Sequence, residues 1–196
     1  HPTISVTETS GTAANDAALC HGTVASLSLG ETYASQTWSC DDNSYLSAVD
    51  IANPTFKSTV PVGNYIVSVS VTNANGCKGD ATKAITVNPV PTATLSALTS
   101  ECKSVTAPQT LTATITPSGL SGKGTWNGDV TKASETAATF IPSAATVGTH
   151  PISYSFKSDA GCEMAAAAAT SVEVFAMPSI VITPSVSSLC ESGGSV

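Results

Sequence analysis

The sequence contains no arginine: its seven basic residues are all lysine, scattered among 14 acidic ones for a net charge of −7. Reading a nucleic-acid backbone takes a clustered basic face, and so does attraction to an anionic membrane surface. Neither partner is expected. Charged residues of both signs make up only 11% of the chain and aromatics 5%, which leaves little material for an exposed row of rings. No apolar run approaches the roughly 18 residues of a membrane-spanning helix, so membrane insertion is not expected. The start at His1 lacks the basic and apolar regions of a secretion leader. It reads as a mature chain or one cut from something longer.

Chemistry-bearing motifs are also missing. There is no Gly-x-Ser-x-Gly, no His-Glu-x-x-His and no Gly-x-x-x-x-Gly-Lys-Ser/Thr, so neither catalysis nor a cofactor is expected. No Cys-x-x-Cys occurs, and of the three histidines, His1, His21 and His150, only His21 adjoins a cysteine, Cys20. A zinc site is therefore not expected. Asp41, Asp42 and Asn43 form the one local acidic cluster. Three oxygen-bearing side chains in a loop could contribute to a calcium site, but the spacing is not that of an EF-hand and an ordinary solvated turn is the expected reading. Gly122-Lys123-Gly124 reads as a turn, not a phosphate loop.

What is present is Thr, Ser, Ala, Val, 14 Gly and 11 Pro, a composition that favours short strands and turns over helices. The chain repeats itself. Gly63 to Ala84 lies over Gly148 to Ala169 at a constant offset of 85, matching Gly63, Ser68, Ser70, Gly76, Cys77 and Ala81 to Gly148, Ser153, Ser155, Gly161, Cys162 and Ala166. Tyr65, Val67, Val69 and Val71 alternate with Ser68, Ser70 and Thr72, the period of a half-buried strand. Ile152, Tyr154 and Phe156 take the inward positions of the second copy. Asn73 to Gly76 and Ser158 to Gly161 read as hairpin turns. Met164 to Ala169 is helical by propensity, but the repeat assigns it to the returning strand, with a bulge from two extra residues before Val172.

Each copy holds one tryptophan, Trp38 and Trp126, expected to plug its core beside Val67, Val69, Val71, Ile152, Tyr154 and Phe156. His150 aligns with Tyr65 and reads as filling a structural slot. Proline-containing junctions recur before Pro91 and Pro178, and His1-Pro2-Thr3 matches them. The expected organisation is all-β: tandem sandwich domains over residues 1–89 and 90–176, with 177–196 opening a third, truncated repeat.

These landmarks resemble the PKD-like and immunoglobulin-like repeats found in tandem in giant secreted proteins of the Bacteroidota, including gliding adhesins and type IX secretion cargo. The residues that carry the likeness are Gly63 to Cys77, Gly124-Thr-Trp-Asn-Gly128, Ala138-Thr-Phe-Ile-Pro142 and Gly148 to Cys162. The Trp-Asp-Phe-Gly-Asp-Gly signature of PKD domains is absent, since Ser-Cys-Asp-Asp-Asn follows Trp38. The first copy is thus PKD-like and the second closer to the immunoglobulin-like variant. The absence of an Asn-x-Ser/Thr sequon agrees with a bacterial source.

Six cysteines in such a chain point to an oxidising compartment. Cys20, Cys102 and Cys190 lie shortly after a repeat begins, and Cys77 and Cys162 close hairpin turns. The simplest pairing joins Cys20 to Cys77 and Cys102 to Cys162, each closing a loop of about 60 residues for around 4 kcal/mol, and leaves Cys40 and Cys190 over. Pairing Cys77 with Cys102 and Cys162 with Cys190 across the junctions satisfies the count equally. An early strand and a hairpin turn can also lie at opposite ends of a sandwich, beyond disulfide reach.

The function expected is structural: a rigid shaft in a long extracellular surface adhesin or filament, partnered by adjacent repeats and neighbouring filament subunits or surface glycans. The alternative is a glycan- or protein-binding accessory module of a secreted enzyme, with Tyr33, Tyr45 and Phe56 as the exposed aromatics. A third reading has residues 178–196 donating a strand to another copy.

Overall fold

The computed structural model describes residues 1–8, 11 and 15–183. Alternating β-branched and small polar residues make strands nearly all of its regular structure. The first set is β1 (Ile4–Thr7), β2 (Ala18–Cys20), β3 (Ala25–Leu29), β4 (Ser35–Ser39), β5 (Thr55–Phe56), β6 (Gly63–Thr72) and β7 (Lys78–Asn88). They form two sheets, ordered β1-β3-β5 and β2-β7-β6-β4. After β1 the chain crosses from one sheet to the other, where β2 runs parallel to the far end of β7, Cys20 opposite Asn88. Between the sheets lie Leu27 and Phe56 from one side and Trp38, Val67, Val69 and Ile85 from the other.

The second set retraces that path with β8 (Thr92–Leu95), β9 (Glu101–Cys102), β10 (Gln109–Thr116), β11 (Gly122–Asn127), β12 (Thr131–Lys132), β13 (Ala137–Phe140), β14 (Gly148–Ser158) and β15 (Ala168–Phe175). Its sheets are ordered β12-β13-β10-β8 and β11-β14-β15-β9. Here β9 runs parallel to the end of β15, with Cys102 opposite Phe175. Among the described residues no β-pairing joins one set to the other. Leu111, Phe140, Ile152, Val172 and Val174 fill the second core, with Tyr154 and Phe156 beside them.

The two tryptophans occupy one register position, Trp38 opposite Val69 and Trp126 opposite Tyr154. Their burial differs. Trp38 is fully buried and donates from Nε1 to the Ile51 carbonyl at 3.0 Å. Trp126 is only half-buried, because the buried Tyr154 ring takes the space that Val69 leaves open in the first sandwich. The two rings meet at 4.5 Å. Val67, Val69, Val71, Ile152, Tyr154 and Phe156 are all buried.

Three local expectations need correction. Gly122-Lys123-Gly124 is not a turn but the start of β11. Glycine is required there because the strand passes under aromatic side chains. A Cβ on Gly124 would stand 1.9 Å from the Glu135 carbonyl oxygen and 2.5 Å from the Tyr154 hydroxyl. Second, the gapless offset fails beyond Cys162. Tyr154 pairs with Ala168 where Val69 pairs with Ala81, so the two extra residues fall within 164–167, which is neither strand nor helix, and β15 begins only at Ala168. The Lys157–Glu163 bridging pair, with its 2.9 Å ion pair, closes this looser hairpin. Third, Phe56 is not an exposed aromatic but fully buried, and Tyr33 and Tyr45 are half-buried against the same core.

Substituting Gly124→Ala should cost the second sandwich about 3 kcal/mol through overpacking against backbone, read as a lower urea midpoint for that sandwich. An unchanged midpoint would show that the Tyr154 and Glu135 contacts yield freely.

Residues 177–183 follow β15 without joining a strand. Ile180 and Ile182 stand where Ile4 and Val6 stand after Pro2, yet are 85% and 86% exposed against 8% and 3%. The readings placed on Cys190 and on strand donation by the rest of 178–196 fall on 184–196, outside the described residues.

Candidate functional site

The site lies where the first sandwich meets the hairpin of the second. Along β1, Ile4 and Val6 point inward, and the next inward side chain in the alternation is Glu8, itself buried. Its Oε1 accepts the backbone N–H groups of Asp16 at 2.7 Å and Ala17 at 3.2 Å. Asn15 and Ala17 both sit at φ 65°, a conformation uncommon for residues other than glycine. The carboxylate thus holds the bend that delivers β2. A Cβ on Gly11 would lie 2.3 Å from the Ala18 carbonyl oxygen and 3.7 Å from that of Ala160, so this bend runs beside the second sandwich's hairpin. Cys20 ends β2. The chain beyond is tied down by His21 N–H to the Asn88 carbonyl at 2.8 Å and Thr23 N–H to the Cys20 carbonyl at 3.1 Å.

Cys162 comes from the Ser158–Gly161 turn. Ser158 N–H donates to the Cys162 carbonyl at 2.9 Å and Gly161 N–H to the Ser158 carbonyl at 2.8 Å. Gly161 holds φ 78°, a region open to glycine. Cys20 and Cys162 are joined by a disulfide with Cα atoms 5.6 Å apart, across a sequence separation of 142. Both are buried.

This overturns the pairing of Cys20 with Cys77 and of Cys102 with Cys162. In the first sandwich Cys20 sits opposite Asn88 at one end of β7, whereas Cys77 immediately precedes Lys78 at the other. A strand of that length separates them by roughly 35 Å, far outside the Cα separation a disulfide tolerates. The bridge does cross the junction, but between other partners than Cys77 with Cys102 or Cys162 with Cys190. Cys77 and Cys102 are free and exposed, and Cys40 is free and half-buried. Burial pushes the Cys40 thiol above its ordinary range, against the pull of the Asp41 and Asp42 backbone groups, which keeps it protonated and unreactive at neutral pH.

The acidic loop is committed to its own geometry. Asp42 Oδ1 accepts the Ser44 N–H at 2.8 Å and Asn43 Oδ1 the Cys40 N–H at 2.9 Å. Asp41 is exposed. No cluster of three metal-ligating side chains occurs among the described residues.

His150 and Tyr65 do the same work in the two copies. Tyr65 donates its hydroxyl to the Pro61 carbonyl at 2.8 Å, and His150 Nε2 bonds the Thr146 carbonyl at 2.8 Å, each four residues upstream. This is the corner by which sandwiches of this kind pin the entry to a long central strand. The other ring nitrogen, Nδ1, meets Asp129 Oδ2 at 2.5 Å. A groove of about 450 Å³ runs alongside, and Asp129 is its only ionisable lining residue. Elsewhere, the Lys132 ammonium and the Gly124 N–H hold the Glu135 carboxyl below the usual range, bracing the turn above Tyr154.

No protein-family model and no curated protein matches the sequence. Solved structures match the fold. The C-terminal 282-residue fragment of intimin, in complex with the intimin-binding domain of the translocated intimin receptor, superposes with a TM-score of 0.53 at 15% identity, over 86% of this chain and 64% of that one. This chain has the immunoglobulin-like β-sandwich fold. Fibronectin(III)-like modules of Clostridium thermocellum CbhA match over 87% of this chain and 94% of theirs, at 15% identity and a TM-score of 0.40. A Bacteroides ovatus SGBP-B structure with a mixed-linkage heptasaccharide matches over 86% and 46%, at 14% and 0.25. At such identities an immunoglobulin-like fold is what is shared. No helix among the described residues is long and apolar enough to cross a membrane, and the disulfide fits an oxidising compartment.

Proposed function

We propose that this chain is a non-catalytic spacer segment of a long extracellular bacterial surface adhesin or filament, of the repeat-built kind known from the Bacteroidota. The observation that carries this reading is the Cys20–Cys162 disulfide. Two immunoglobulin-like sandwiches on a short proline-containing link would by default move relative to one another. A covalent tie across the junction opposes that motion, which is what a shaft requires and what a freely moving binding module does not. The neighbouring partners are further sandwiches of the same polypeptide, and the exposed Ile180 and Ile182 supply the inward positions of a first strand for the next one. The accessory-module alternative would draw on an exposed aromatic face, whereas Phe56 is buried and Tyr33 and Tyr45 pack on the core.

Small-angle X-ray scattering tests this. The oxidised chain is expected to scatter as one fixed arrangement of two sandwiches, and the C20S/C162S double variant as a broader distribution with a larger mean radius of gyration. Scattering from the oxidised chain as broad as that of the double variant would sink the spacer reading.

A further inference from the structure

Cys77 and Cys102 are surface thiols, but each occupies a position that elsewhere in this chain forms a disulfide. Cys102 ends β9 as Cys20 ends β2, both strands running parallel to the last strand of their sandwich. The backbone around them is the same. Lys103 N–H meets the Phe175 carbonyl at 2.9 Å as His21 N–H meets that of Asn88 at 2.8 Å, and Val105 N–H bonds the Cys102 carbonyl at 3.0 Å as Thr23 N–H bonds that of Cys20 at 3.1 Å.

Cys77 matches Cys162 as closely. Asn73 N–H donates to the Cys77 carbonyl at 2.9 Å and Gly76 N–H to the Asn73 carbonyl at 3.0 Å, repeating the Ser158–Cys162 turn. Gly76 holds φ 80° against 78° at Gly161.

The two kinds of cysteine lie at opposite ends of a sandwich, so one junction consumes one of each: the strand-end cysteine of a sandwich and the hairpin cysteine of the next. At the occupied junction both are buried; at the outer ends Cys77 and Cys102 are exposed. Phe175, the register partner of Cys102, is also 45% exposed, apolar surface left for a docked neighbour to cover.

We propose that Cys77 and Cys102 are the open halves of two further staples. Cys102 bonds the hairpin cysteine of a following sandwich of this repeat type, and Cys77 bonds the strand-end cysteine of a preceding one. Each bond joins two thiols with loss of two protons and two electrons. The electrons pass to a small-molecule disulfide of the oxidising compartment, which is reduced to two thiols. The order is directional, strand end to hairpin, so the sandwiches can link only head to tail. Cys190 lies 88 residues beyond Cys102.

The inference rests on the spacer reading, and one experiment separates their fates. The chain carrying C190S is held at high concentration in oxidised and reduced glutathione, with a second copy as the neighbouring sandwich, and its disulfides are mapped under non-reducing conditions. The expected product is a head-to-tail ladder in which intermolecular Cys77–Cys102 links exceed either symmetric link about tenfold, because docking raises the effective concentration of that pair alone. Adding C77S or C102S to this background should leave each variant monomeric alone, and mixing the two should give a dimer and nothing longer. Statistical mixtures of Cys77–Cys77, Cys102–Cys102 and Cys77–Cys102, or monomer throughout, would overturn the inference, while an intact Cys20–Cys162 bond in the same map leaves the spacer reading standing. Replacement of Cys20–Cys162 by other pairings would overturn both.

Discussion

Pulled from its two ends, the oxidised chain should lengthen by about 500 Å less than the reduced chain before it is fully extended. The force path enters at the N-terminus, reaches Cys20, crosses the sulfur–sulfur bond to Cys162 and leaves through the C-terminal segment, bypassing a span of 142 residues. At about 3.5 Å per extended residue, that span is the hidden length. β1, β15 and β2 up to Cys20 lie outside it, so in the oxidised chain they are what force can strip away, while β3 to β14 stay unloaded. Single-molecule force spectroscopy with and without reductant reads this directly, and the C20S/C162S variant should behave as the reduced chain does. Equal contour lengths in both conditions would mean that the bond does not carry the load.

Trp38→Ala should have the largest effect on stability of any single truncation in the first sandwich, about 3–5 kcal/mol. Trp38 is fully buried, so its removal opens a cavity among residues of both sheets, and it also leaves the Ile51 carbonyl without the indole donor. Trp126→Ala should cost less, on the order of 2 kcal/mol, because that ring is half-buried and its Nε1 has no partner to lose. Urea denaturation followed by circular dichroism is the measurement. A lowered midpoint confined to the first sandwich is the expected outcome for Trp38→Ala, and equal costs for the two substitutions would refute the assigned difference in burial.

The contrast between the tryptophans shows how far the sequence could be read. Period-two alternation over Val67, Val69 and Val71 and the Gly-Cys turns located the long central strands because ten or more residues of pattern are hard to mistake. Phe56 lies in a strand two residues long, too short for any period to assign its face. Gly122 and Gly124 read as turn residues because close approach by Phe156 and Tyr154 leaves no trace in local sequence.

The disulfide was illegible for a related reason. Its partners follow from β2 running parallel to the far end of β7, and a three-residue parallel strand carries no signature of its direction. Glu8 did leave a signal, a carboxylate on the inward side of an alternating strand. It is the residue that positions the bend before Cys20.

Viewed as a covalent graph, residues 20 to 162 form a closed ring, and the Pro89–Pro91 link between the sandwiches lies inside it. A ring survives any single cut as one molecule. A protease that nicks the link, or any loop between the two cysteines, converts the ring to an open chain whose ends remain joined through sulfur. The connection between the sandwiches is here one that must be both cut and reduced before anything is lost.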